Sequence, residues 1–135
     1  MNGYLETSAL LSWLLAEPEE SAVEAVLRQA RHLFTSELTV AETLRAIQRH
    51  NSPQRIQAQE RLRMIQSRWN ALPMHSALLQ QVGQAFPVEP VRTLDAIHLV
   101  TAMDMRGEIE DLRMISLDRR VRENATALGF TVLPA

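Results

Sequence analysis

Short apolar runs alternating with helix-length segments constrain this chain more than any other feature. Gly3-Tyr4-Leu5, His32-Leu33-Phe34-Thr35, Ala71-Leu72-Pro73-Met74, residues 112–117 and residues 130–133 all read as strands. The segments between them carry helical periodicity. Residues 9–15 are apolar on nearly every side, as expected of a helix docked on a sheet, and after Pro18 the apolar positions Ala22, Val23, Val26, Leu27 and Ala30 recur at three- and four-residue spacing. Ser36 can cap a helix carrying Leu38, Ala41, Leu44 and Ile47. Ser52, with Pro53 at the first helical position, can cap one using Ala58, Leu62, Ile65 and Trp69. A further helix is predicted around Leu78, Leu79, Val82 and Phe86, and another from a Thr93 cap through Met103, stopping at Gly107. The last starts at Asp118 and ends at Gly129. This alternation predicts an α/β fold with a mainly parallel sheet covered by helices on both faces.

At 135 residues the chain suits one domain, 1–135, with one substantial core. It has no cysteine, which excludes a thiolate metal site or a cysteine nucleophile and suits a reducing cytoplasm. The start of the chain lacks the positive stretch of a secretory signal, and the apolar segment 9–16 is too short for a bilayer span, so no membrane association is expected. Net charge is −2, so any contact with nucleic acid must be local rather than driven by a global positive field. With only 4 glycines and no glycine-rich phosphate loop, a doubly wound nucleotide-binding domain is disfavoured.

In open parallel sheets the ligand site lies outside the carboxyl ends of the strands, and Glu6 and Asp118 fall at two such ends. Each acid has an ordinary explanation. Asp118 suits an N-cap, Asp95 a first helical turn, Glu42 follows Thr39 at capping-box spacing, and Glu6 suits a solvated loop. Local context argues for more. Glu42 lies mid-helix beside Ala41 and Leu44, and Asp95 sits in the apolar run Leu94-Asp95-Ala96-Ile97. A poorly solvated carboxylate is costly unless it is paired or bound to a cation, so acids converging on a strand-end cleft suggest a hard metal ion.

Four segments carry a family resemblance: Tyr4-Leu5-Glu6-Thr7-Ser8-Ala9; Thr35-Ser36-Glu37-Leu38-Thr39 with Glu42; Arg92-Thr93-Leu94-Asp95-Ala96-Ile97-His98-Leu99; and Ser116-Leu117-Asp118-Arg119-Arg120. In this order they resemble the successive motifs of the PIN domain, and of the VapC-type toxins within it. The resemblance runs from Tyr4 to Gly129-Phe130, and residues 92–99 are its most specific part.

The resemblance implies a three-layer α/β/α sandwich and Mg²⁺- or Mn²⁺-dependent cleavage of RNA. Glu6, Glu42, Asp95 and Asp118 would be the catalytic and metal-holding acids, with Ser8 and Ser116 assisting nearby. It further implies a homodimeric toxin restrained by a small antitoxin. Glu6 departs from the family, which has aspartate there. The added methylene is a concern because Mg²⁺ demands near-octahedral geometry at about 2.0–2.1 Å. The alternative is a non-catalytic PIN-like module that binds RNA or an antitoxin.

Among the other residues, Arg92, Arg119 and Arg120 flank the acidic motifs, where they suit either phosphate contact or surface solvation. His98 shares a helix face with Asp95, where it suits either a supporting place behind the acids or, more simply, a hydrogen-bonded core histidine. Trp13 and Trp69 suit core or interface anchors. The arginine- and glutamine-rich side of residues 51–69 suits a solvated face or a partner-facing one.

Overall fold

The computed structural model describes residues 1–135. Five strands, β1 (Asn2–Leu5), β2 (His32–Ser36), β3 (Trp69–Leu72), β4 (Leu112–Ile115) and β5 (Val132–Leu133), form one sheet in the order β3-β2-β1-β4-β5. Every pairing is parallel. The helices are α1 (Thr7–Leu14), α2 (Glu20–Gln29), α3 (Glu37–Ile47), α4 (Ser52–Gln66), α5 (Ser76–Gln80), α6 (Thr93–Arg106) and α7 (Arg119–Ala127).

Strand alternation divides the core in two. Neighbouring residues of one strand point to opposite faces, so Leu5 and Ile115 pack with Leu10, Leu14, Leu27 and Leu62 under α1, α2 and α4. Tyr4 and Met114 instead pack with Leu78, Leu99, Val100 and Val121 under α5, α6 and α7. The predicted α/β/α sandwich is therefore present, and its sheet is wholly parallel. No helix is long and apolar enough to cross a membrane.

Local signals place most element ends. Ser36 caps α3 by accepting from Leu38 N, Asp118 caps α7 by accepting from Val121 N, and Gly129 takes φ +93 just beyond α7. Several expectations are corrected. Asn51, not Ser52, caps α4, its side chain accepting from Gln54 N. Arg92, without a side-chain bond, occupies the cap position of α6, so Thr93 is the first helical residue. Trp69 opens β3 instead of closing α4, and that strand ends at Leu72 before Pro73. The helix expected around 78–86 is α5 plus a 3-10 turn, Gln81–Gly83, with Phe86 beyond both. The last strand is confined to Val132–Leu133.

Arg61 of α4 and Arg68 in the turn just after it turn out to be structural. Arg61 reaches Glu20 at 2.6 Å and stacks over Trp13, and Arg68 donates to Leu27 O at 3.1 Å. They tie α4 to α2 across the outer face, so the arginine-rich side of this helix is partly committed to the fold.

Candidate active site

Strand order reverses at β1, because its neighbours β2 and β4 are reached in opposite directions along the sheet. The crevice beyond the carboxyl ends of β1 and β4 is therefore where an open sheet places a ligand. Glu6 follows β1 directly, and its N–H donates to Ile115 O at 2.9 Å, locking the two strand ends together. Asp118 stands three residues beyond β4. Asp95 comes from the first turn of α6 and Glu42 from the middle of α3.

Glu42, Asp95 and Asp118 share one open cleft of about 630 Å³, with Arg92, Arg119 and Arg120 on its rim. Glu6 does not line the cleft. At 4% exposure it lies buried behind the wall, close enough that its charge acts on Asp95. The structure thus brings three of the expected acids to one surface and sets the fourth beneath it.

How each carboxylate is held is informative. Glu6 Oε2 accepts from Ser8 N (3.1 Å), from Ser116 Oγ (2.7 Å) and from Ser8 Oγ. Ser8 Oγ in turn accepts from Leu117 N at 2.9 Å and Asp118 N at 3.0 Å, so the two serines fasten Glu6 to the β4–α7 connection. The expectation of a solvated Glu6 is overturned by this burial and by its role as N-cap of α1. On α3, Glu42 Oε1 accepts from Thr7 Oγ1 (2.6 Å) and from His98 Nε2 (2.7 Å). The capping-box explanation of Glu42 fails, because Ser36 is the cap and the Thr39 hydroxyl accepts from Thr35 instead. Asp118 spends Oδ1 on Val121 N.

In these three acids the architectural bonds fall on one oxygen only, leaving the other uncommitted. Asp95 commits neither, and its carboxyl is pushed up from 3.8 to about 6, first by burial and then by the charges of Asp118 and Glu6, against the pull of His98 and Arg92. Glu42 behaves differently. Burial acts to raise it, but the His98 and Thr7 hydrogen bonds, and then the electrostatic pull of His98, hold it below the usual carboxylate range. Tyr4, whose hydroxyl lies 2.8 Å from His98 Nδ1, is held well above its ordinary value by burial and then by the Glu6 charge.

The donor set is all hard oxygen, which suits Mg²⁺ or Mn²⁺ and not a thiolate-seeking ion. No three His, Cys, Asp or Glu side chains stand at the spacing of a complete ligand shell. An ion such as Mg²⁺, which retains several waters and takes one or two carboxylates directly, does not require such a shell. The crowding that raises Asp95 is itself relieved by a cation, so the residues present fit such an ion.

A pH dependence follows. The folded chain keeps a proton on Asp95 up to about pH 6, whereas an ordinary aspartate releases it near 3.8. Stability contributed by that proton is present at low pH and lost as pH rises through about 6. In EDTA, wild-type protein should therefore lose melting temperature relative to Asp95→Asn over that window. Parallel pH profiles for the two proteins would contradict this. Because a bound cation requires the ionised carboxylate, Mn²⁺ should stabilise the wild type more at about pH 7.5 than at about pH 5.

The sequence reads His98 as a core residue or a support behind the acids, but it does not show what His98 touches, and it gives Thr7 and Tyr4 a place in the first motif without a role. The spacing from Asp95 to His98 and the adjacency of Thr7 to Glu6 were the available signals. The partners are 35 to 94 residues apart in the chain.

Known proteins of similar sequence and fold identify the family. The chain is 32% identical over 130 residues to Ribonuclease VapC46 of Mycobacterium tuberculosis, covering 96% of this chain and 95% of that one. It is 33% identical over 132 residues to Ribonuclease VapC35 of the same organism, covering 96% and 94%. Among solved structures, M. tuberculosis VapC20, described as a sarcin-ricin loop cleaving toxin, superposes with a TM-score of 0.72 at 14% identity over 96% of this chain and 97% of that one. VapBC2 from Rickettsia felis, bound to a promoter DNA fragment, gives 0.64 at 13% identity over 98% and 97%. At such identities these two likenesses speak for the fold. The PIN domain family model matches residues 3–127, and with relatives above 30% identity along nearly the whole chain, this protein belongs to the PIN-domain family in its VapC group.

Proposed function

We propose that the protein is a divalent-metal-dependent endoribonuclease, the toxin of a toxin–antitoxin pair, which hydrolyses RNA phosphodiester bonds in the acidic cleft. The observation that carries this reading is the set of carboxylates delivered from separate elements, each held by one oxygen or none, around a cleft rimmed by arginines. Full-length relatives named ribonucleases support it.

In this reading Asp95 and Asp118, with Glu6 behind them, hold Mg²⁺ or Mn²⁺ directly or through its waters, and Glu42 orients the attacking water or a second ion. The bound cation supplies charge neutralisation at the phosphate and a more acidic water. Ser8 and Ser116 keep Glu6 in place. Because they pull one Glu6 oxygen back toward the β4–α7 connection, the extra methylene relative to aspartate is taken up in reaching them. Arg92, Arg119 and Arg120 would meet the phosphates on either side of the cut. Arg119 is open to solvent, its side chain 93% exposed and bound only along the helix to Glu123 at 2.7 Å. Leu94, 47% exposed on the same rim, offers an apolar surface to an unstacked base of single-stranded RNA.

The same reading gives the protein a cytoplasmic setting, a homodimeric form and a cognate antitoxin, a partnership matching the VapBC assemblies whose fold it shares. Scattering should report twice the 15.3 kDa chain mass. The test of the activity is incubation of a mixed transfer and ribosomal RNA pool with Mg²⁺, Mn²⁺ or EDTA. Cleavage with either ion and none with EDTA is expected. An inert protein under all three conditions would leave a binding module in place of an enzyme.

A further inference from the structure

Behind the cleft, a buried chain of hydrogen bonds runs from the sheet to Glu42. Tyr4 leaves β1 on the α6 side, and its hydroxyl lies 2.8 Å from His98 Nδ1. On the opposite edge of the ring, His98 Nε2 lies 2.7 Å from Glu42 Oε1 and 3.2 Å from Thr7 Oγ1. Both Tyr4 and His98 are shut away from solvent, at 0% and 1% exposure, whereas Glu42 reaches the cleft.

The direction of each bond follows from donor chemistry. An ionised carboxylate only accepts, so the hydrogen of a neutral His98 ring is on Nε2 and points at Glu42. Nδ1 is then an acceptor, and the only proton available to it is that of the Tyr4 hydroxyl. Were the hydrogen on Nδ1, Nε2 would face the Glu42 oxygen lone pair to lone pair at 2.7 Å.

Glu42 needs such fixing. Its side chain has three rotatable bonds and stands on the middle of a helix, with nothing in its own backbone to aim it. The bonds from His98 and Thr7 both seize Oε1, so the carboxylate plane is set and Oε2 is left for the cleft.

We propose that His98 is a positioning residue for RNA cleavage, aiming the Glu42 carboxylate through Nε2–H, and that Tyr4 acts one step further back by donating to Nδ1 and so holding the ring in place. The inference rests on the nuclease reading above and gives it a second layer. Metal-holding sites commonly depend on such supporting partners, whose removal costs about 10- to 100-fold in activity.

The test combines ring-nitrogen NMR with kinetics. In ¹⁵N-histidine-labelled wild-type protein, His98 should show a protonated, pyrrole-type Nε2 and a pyridine-type Nδ1. Tyr4→Phe keeps the ring in the core and removes only the hydroxyl. It should yield a folded protein that keeps the Nε2–H tautomer but whose Nδ1 resonance shifts for want of its hydrogen bond, with kcat on a single-site RNA about tenfold lower and KM within about twofold. His98→Ala should cost more, toward 100-fold, and His98→Gln, whose amide nitrogen can stand near the place of Nε2, should recover part of it. A group that merely fills the core would change the melting temperature of these variants without a kcat loss at near-constant KM. An active wild type whose Tyr4→Phe variant turns over normally, or whose His98 carries its hydrogen on Nδ1, overturns this inference alone. A wild type that cuts no RNA overturns the nuclease reading and the inference with it.

Discussion

Replacing Asp95 by Asn should abolish RNA cleavage while making the metal-free protein more stable. The carboxyl of Asp95 makes none of the hydrogen bonds that fasten Glu6, Glu42 and Asp118, so no structural bond is lost. What is lost is a charge, in a place where burial and the charges of Asp118 and Glu6 already oppose it. Asparagine keeps the size and removes the repulsion, so the melting temperature in EDTA at neutral pH should rise. Turnover moves the other way. A cation that stabilises transition-state charge contributes several kcal/mol, and at 1.4 kcal/mol per tenfold, losing much of that contribution means a drop of at least about a hundredfold. Gain of stability with loss of activity is the mark of a group placed for chemistry at a cost to the fold. A variant that is both inactive and destabilised would point to a structural aspartate instead.

Ser8→Ala should be the most damaging single-atom change at the site. The Ser8 hydroxyl donates to Glu6 and accepts from Leu117 N and Asp118 N, so it joins the ends of β1 and β4. Asp118 N retains Ser116 Oγ at 3.1 Å, but Leu117 N loses the acceptor that Ser8 provides. An orphaned donor costs about 1–3 kcal/mol and a bond to a charged group contributes about 1.5–3 kcal/mol. The two effects overlap, so a net loss of about 2–4 kcal/mol is expected in chemical denaturation. Activity should fall as well, because Glu6 and Asp118 lose their common support. Ser116→Ala should cost less, since it takes one bond from Glu6 and leaves Ser8 in place. Equal effects of the two substitutions would show that the serines act as one unit.

Much of the fold is legible in the chain because its signals are local. The period of two in Tyr4-Leu5 sends one side chain into each half of the core, and Asp118 and Gly129 mark the ends of the last helix by their own backbone chemistry. Boundaries failed where two adjacent residues offered similar signals. Asn51 and Ser52 are both good caps, and Asn51 is the one with extended backbone whose oxygen meets Gln54 N. At Trp69 an apolar residue continues the helical pattern of α4 by coincidence, although it belongs to the next strand.

The acids were legible as a set because poorly solvated carboxylates in apolar surroundings need a reason to be there. Their division into three on the cleft and one behind it was not, since it depends on serines 108 residues apart meeting over Glu6. Nor was the route from Tyr4 through His98 to Glu42, which joins β1, α6 and α3 only once the sheet has formed.

The central claim is that Glu42, Asp95, Asp118 and Glu6 together make a cation site. At 15.3 kDa the protein is small enough for backbone NMR, and substoichiometric Mn²⁺ broadens the amides nearest to wherever it binds. Broadening should centre on the residues beside Glu6, Glu42, Asp95 and Asp118, and should vanish in Asp95→Asn. Broadening scattered over surface acids such as Glu17, Glu60 or Glu110, or a pattern unchanged in Asp95→Asn, would contradict the account.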